Sequence, residues 1–292
     1  MEKKKQHIIP RCYLQNFTDK NDFVYVLGKK NKKTFKTKPI NILTDNYFYT
    51  IKFPEGGGSF IVENTLEKIE SKYTSIFKDK INKKKPLNSE ERALISVFAG
   101  AMLLRTKTFR KNIHATFNET EEKIEILDQL PEKKKRIIAS FSSEPSTDIV
   151  MTGEEFKRIS EDVSLFHSSA IMENLTEVSK IISKMQWNFL ISERKDNFFI
   201  TSDNPCVLIN VTAIKKYGLN SILSSPGLLH DEVELSLPLS SQVSLLAGWK
   251  MKKEGYLPVL LKIIDQINVR TIINAKEMVI GRSNEKLNEL FL

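Results

Sequence analysis

The sequence predicts an α+β fold, in which N- and C-terminal β segments flank a middle region of long helices. Three observations carry this. Alternating apolar residues bounded by turn residues cluster near the two ends of the chain, around 23–53 and 187–249. Between them, apolar residues recur at helical spacing. With 292 residues, 40% hydrophobic and 28% charged, the composition is that of a soluble globular protein; it excludes collagen, disulfide scaffolds, wholesale disorder and membrane bundles. The chain reads as one domain over 1–292. Its sub-regions are a basic β-rich segment at 1–58, a helical region at 59–185 and a mixed β/α region at 186–292.

Residues 10–17 (PRCYLQNF) read as a short helix: Pro10 suits its first position, and Tyr13, Leu14 and Phe17 share a face. Residues 23–27 and 34–38 read as a β-hairpin around the turn GKKNKK, and 47–53 as a third strand. Gly56, Gly57 and Gly58 open a loop. Ser59 then caps a helix over about 60–81, with Val62, Leu66, Ile69, Tyr73, Ile76 and Phe77 as its apolar stripe. Pro86 breaks the chain. Ser89, followed by Glu90 and Glu91, starts a second long helix running to about 117.

An acidic helical pattern follows at 119–130, a short helix at 132–141 and a loop at 142–153. Thr152 to Glu155 form a capping box for a long helix ending near 185. Residues 187–192 and 198–201 read as a hairpin, 206–210 as a strand and 218–231 as a loop. Two strands at 233–239 and 242–249, a helix at 260–275, a strand at 278–281 and a helix at 284–292 finish the chain. The terminal β segments could complete one sheet around the helical middle.

The net charge of +9 is unevenly placed. Residues 1–38 hold eleven bases and three acids, a local charge of +8; the rest holds 34 bases and 33 acids. A concentrated basic end is the expected footprint of a polyanion partner, RNA or DNA, whose binding weakens steeply with salt. A solvated surface explains it too: Lys outnumbers Arg 36 to 9, and Arg is the usual choice for bidentate phosphate recognition. The two cysteines, Cys12 and Cys206, lack metal-finger spacing and fit a reducing cytoplasm, though a bridge between them stays open. The N-terminus does not read as a signal peptide. The longest apolar run, 93–104, falls short of the roughly 20 residues that span a bilayer, so no membrane partner is expected.

Four patches together resemble a known family: His7 to Phe17 (HIIPRCYLQNF), Glu63 to Glu70 (ENTLEKIE), Phe199 to Pro205 (FITSDNP), and Leu237 to Ser240 (LPLS). The chain resembles the bacterial family catalogued as domain of unknown function 4238 over nearly its whole length. The resemblance implies a bacterial or phage-borne intracellular protein of mobile or defence-type gene neighbourhoods, and no established reaction. It marks His7, Arg11, Glu63, Glu70, Arg105, Asp203 and Asn204 as candidate positions.

Each candidate has a chemical reading and a structural one. His7, before a short helix, could act as general base or acid, with Arg11 holding a phosphate; it could equally pack at the helix start. Asp203 and Asn204 end a strand. They could present a carboxylate and an amide to a cleft, or close an Asx turn fixed by Pro205. Glu63 and Glu70 lie two helical turns apart, about 10 Å, and could meet Arg105 in a site or in an ordinary interhelical salt bridge. Phe23, Tyr25 and Phe35 alternate with bases and could stack on nucleobases or pack in a core.

The expectation is a nucleic-acid-acting protein, foremost an RNA or DNA nuclease or effector of a conflict or phage-defence system. His7 and Asp203 would move protons, while Arg11 and Arg105 would stabilise charge on phosphorus. Asn204, Lys29, Lys30, Lys32 and Lys33 would hold substrate. The cofactor is not fixed, but carboxylates suit Mg²⁺, which Asp203 with Glu63 or Glu70 could bind. A non-catalytic binding protein, and an enzyme on a small phosphorylated metabolite or nucleotide, are the alternatives. The oligomeric state stays open.

Overall fold

The structure is a computed structural model and describes residues 5–53, 57–129, 163–194, 196–218 and 226–290. The expected helix at 132–141, the loop at 142–153 and the capping box at 152–155 lie outside the described residues. The fold is the expected mixture of helices and several sheets.

β1 (Lys5–His7) runs into α1 (Arg11–Leu14), which tightens into a 3₁₀ turn at Gln15–Phe17. Pro10 stands at the N-cap of α1, one place earlier than expected. β2 (Val24–Gly28) and β3 (Thr34–Thr37) form the predicted hairpin. Of the strand expected at 47–53 only β5 (Ile51–Lys52), paired with β6 (Gly58–Ser59), forms, and β4 (Thr44–Asn46), paired with β1, precedes it. Tyr47, at φ +55, turns the chain between them.

α2 (Ile61–Ile76) ends in a π-helical turn at Phe77–Ile81, and buries Val62, Leu66, Tyr73, Ile76 and Phe77 of the expected stripe. α3 (Ser89–Leu104) is held by a capping box of Asn88 and Glu91. The second long helix does not run through: it breaks at Arg105 and Thr106, and α4 (Lys107–Asp128) absorbs most of the acidic pattern. α5 (Val163–Lys184) packs along α3, where Gly100 lets the Ser179 hydroxyl approach to 3.0 Å of where a Cβ would sit.

β7 (Gln186–Ile191), β9 (Val207–Asn210), β10 (Val233–Pro238), β11 (Val243–Gly248) and β12 (Gly255–Pro258) build a five-stranded sheet in the order β12-β7-β11-β10-β9. Only β12 runs parallel to its neighbour. β8 (Thr201–Ser202) does not return as a hairpin on β7. It crosses to a second sheet, β3-β2-β13-β8, where β13 (Met278–Gly281) joins it to the N-terminal hairpin. The terminal β segments therefore do share a sheet, but the larger sheet is built wholly from the C-terminal region. α6 (Val211–Tyr217), α7 (Leu261–Asn274) and α8 (Asn284–Glu289) complete the described elements.

Period-2 alternation sorts the side chains of each sheet to two buried faces. Phe189, Ile191, Leu235, Leu237, Leu245 and Val26 join the main core with α1, α2, α3 and α5. On the opposite face, Leu190 packs with Phe199, Ile264 and Ile267 beneath α7. The main core draws on all three sub-regions, from Ile9 to Ile280. Among the described residues no helix is long and apolar enough to cross a membrane. Cys12 and Cys206 are free thiols, so no bridge joins them.

Candidate functional site

The break between α3 and α4 buries a guanidinium. Arg105 is 2% exposed and donates from Nη2 to the His7 carbonyl and from Nη1 to Glu70 Oε1, each at 2.8 Å. Its Nε donates to the Tyr49 hydroxyl at 3.3 Å. That hydroxyl lies within reach of the Ile8 and Arg105 carbonyls, and Gln6 Oε1 accepts from the Tyr49 N–H. Arg105 thus gathers β1, α2 and the 47–50 turn onto the end of α3. The Glu70–Arg105 pair expected from sequence is present, and Glu63 acts electrostatically on Tyr49 in the same cluster.

His7 gives Arg105 its carbonyl, not its ring. The imidazole Nε2 is buried without a partner among the described residues. Burial first, then the charges of Arg105, Lys5 and Arg11, lower its pKa to about 4, so the ring is neutral at pH 7. Arg11 is exposed on α1. His167, from α5, is fully buried against Phe48 and Tyr49, bonded to the Leu104 carbonyl at 2.9 Å, and likewise lowered to about 4, chiefly by burial.

Asp203 and Asn204 form a second, separate cluster. The Asp203 carboxylate accepts three backbone N–H bonds, from Lys276 (3.1 Å), Glu277 (3.0 Å) and Met278 (3.2 Å). Burial pushes its pKa up, and the three donors oppose that shift. Asn204 and Asn274 exchange amide-to-carbonyl bonds, and Asn274 also reaches the Cys206 carbonyl. Lys29 lies beside this cluster, but its ammonium bonds the Ile272 and Ala275 carbonyls at 2.8 and 2.7 Å and so caps the end of α7.

The structure therefore brings His7, Arg105 and Glu70 together, with Arg11 and Glu63 nearby. It gives Asp203 and Asn204 to another junction. Arg105 and Asp203 are buried and hydrogen-bonded inside the protein, a geometry that ties elements rather than faces a substrate. Lys29 is likewise engaged. No three His, Cys, Asp or Glu side chains among the described residues gather as a metal-binding group.

Lys30, Lys32 and Lys33 behave otherwise. They are exposed on the hairpin turn, and no ion pair among the described residues involves them. The turn closes on itself: Gly28 bonds Lys33, and Lys33 N–H bonds Asn31 Oδ1. Lys36 lies over the Phe23 and Tyr25 rings at 4.8 and 5.1 Å, whereas Phe35 is 49% exposed. Next to the turn, the Lys29 N–H bonds the Glu277 carbonyl, and Glu277 stands on the rim of a cleft of about 790 Å³ between α4 and the Asn204–Asn274 junction. Lys107, Lys111 and Lys276 line that cleft. Sequence reasoning reached only Asn204 there, because these residues lie far apart in the chain and share no motif.

A family model described as "Protein of unknown function (DUF4238)" matches residues 5–285. The chain belongs to that family. The match spans every cluster just described, from β1 to β13, which agrees with the likeness of the His7, Glu63, Asp203 and Leu237 patches. No curated protein and no solved structure matches the chain significantly.

Proposed function

We propose that this DUF4238 protein binds nucleic acid through the lysine turn of its N-terminal hairpin, as an effector or sensor in a bacterial conflict or phage-defence system. The observation that carries the reading is the exposed set Lys30, Lys32 and Lys33 on one short turn, with no ion pair among the described residues. Local charge of one sign draws a polyanion by releasing its counterions. The half-exposed ring of Phe35, beside Lys36, supplies a face on which a base of a single strand could stack. The defence setting rests on the family resemblance alone.

The test is fluorescence anisotropy with labelled single-stranded RNA and DNA. Wild type is expected to bind either strand at low salt, and the triple variant Lys30→Glu, Lys32→Glu, Lys33→Glu to bind at least about tenfold more weakly. Equal binding by the two proteins would end this reading.

A nuclease is the second reading, favoured by one observation: the neutral, unpartnered Nε2 of His7 beside Arg11. Incubation with total RNA and DNA, with Mg²⁺ or EDTA, separates the two. The binding reading expects intact nucleic acid; cleavage by wild type that His7→Ala removes would establish the nuclease.

A further inference from the structure

We infer that the cleft between α4 and the Asn204–Asn274 junction is a binding site for a nucleoside 5′-phosphate. Its volume, about 790 Å³, lies in the range of small-molecule sites. Its lining mixes apolar and basic side chains. Leu104, Phe109, Val178, Cys206 and Leu208 contribute apolar surface for a flat ring. Lys107, Lys111 and Lys276 also line it, against a single acid, Glu277, so the lining is net cationic.

The lysines are available to a ligand in graded fashion. Lys111 and Lys276 are exposed and have no ion pair among the described residues. Lys107 bonds Glu277 at 3.3 Å, and both side chains are nearly half exposed. Such a water-screened pair is weak, so an entering phosphate can take Lys107 over. The first turn of α4 lines the cleft, and its dipole adds to the positive potential. Asn112 contributes an amide for sugar or base edges. Apolar side chains, amides and lysines in one lining together fit a nucleoside carrying phosphate better than they fit a bare anion or a neutral ring.

This inference does not rest on the hairpin. Lys30, Lys32 and Lys33 are absent from the cleft walls, so variants there report on one proposal and cleft variants on the other. The phosphate could come from a free nucleotide or from a nucleic-acid 5′ end, and two probes distinguish them: ATP and a 5′-phosphorylated thymidine dinucleotide.

Isothermal titration of the full chain with each probe tests the site, alongside Lys111→Glu and Lys276→Glu. Both positions are exposed, so folding should persist, and a melting curve checks it. At least one probe is expected to bind, with each reversal weakening it about tenfold or more. The hairpin triple variant should bind the same probe within about threefold of wild type. Preference for ATP assigns a free nucleotide, and preference for the dinucleotide assigns a 5′ end; either supports the site. No binding of either probe at about 1 mM, or binding that both reversals leave unchanged, would overturn it.

Discussion

Arg105 shows how one residue type answers several structural demands at once. A planar guanidinium presents donors in fixed directions, so it can hold a carbonyl, a hydroxyl and a carboxylate together where three elements meet. Removing it would strand the partly buried Glu70 carboxylate and the His7 carbonyl. Arg105→Met is expected to lose roughly 3–5 kcal/mol in urea unfolding, and Arg105→Lys to recover only part of that, because an ammonium cannot span the same three acceptors. If the lysine variant unfolds like wild type, the fork geometry is unimportant.

His167 makes a pH prediction at the same scale. Its folded pKa of about 4 lies below the ordinary 6.5, so between these values the unfolded chain binds more protons. Its stabilising contribution is full above about pH 6.5 and is lost as pH falls towards 4, amounting to about 3 kcal/mol. His7 shifts in the same direction, with a smaller effect because part of its ring meets water. Melting temperature should therefore fall between pH 7 and 4.5, and His167→Gln should flatten that fall. An unchanged slope in the variant would show that another group sets it.

At the scale of elements, Asp203 explains why β8 leaves β7 for the second sheet. Its Oδ1 accepts from Lys276 and Met278 and its Oδ2 from Glu277, which pins the start of β13 against the end of β8. Asp203→Ala leaves three N–H groups without their acceptor and is expected to cost about 3 kcal/mol. Asp203→Asn should fall between, since an amide oxygen can keep the Oδ1 pair but its NH₂ faces the Glu277 donor. Denaturant titration of the two variants reads this order directly; a fully stable alanine variant would contradict the structural role.

Elements with a strong period were legible in the sequence: α2, α7, β10, β11 and the β2–β3 hairpin fall close to where spacing puts them. What was not legible depends on partners far along the chain. β1 is three residues long and exists because β4 pairs with it. β12 is short, begins at Gly255 and ends at Pro258, and is held by parallel pairing to β7. The break at Arg105 carries no proline or glycine; it follows from the buried contacts that the guanidinium makes. Glu70 and Arg105 could be paired from sequence because helix spacing placed them on facing sides. The bonds of Asp203 to Lys276, Glu277 and Met278 span more than 70 residues and left no local signal.

For the whole molecule, the charge asymmetry acquires a shape. Of the basic residues in the first 38, Lys29 is taken up by α7, Lys36 pairs with Asp19, and Lys30, Lys32 and Lys33 stand clear on one turn beside the Glu277 rim of the cleft. The near-neutral remainder of the sequence thus carries an exposed cationic turn near its N-terminal end. The most direct measurement of its role is the salt dependence of single-stranded nucleic-acid binding. For wild type, log Kobs should fall linearly with log salt concentration, and charge reversal at Lys30, Lys32 and Lys33 should reduce that slope by about 2, since each phosphate contact contributes about 0.7. A slope that the three reversals leave unchanged would contradict the assignment of this turn as the nucleic-acid contact.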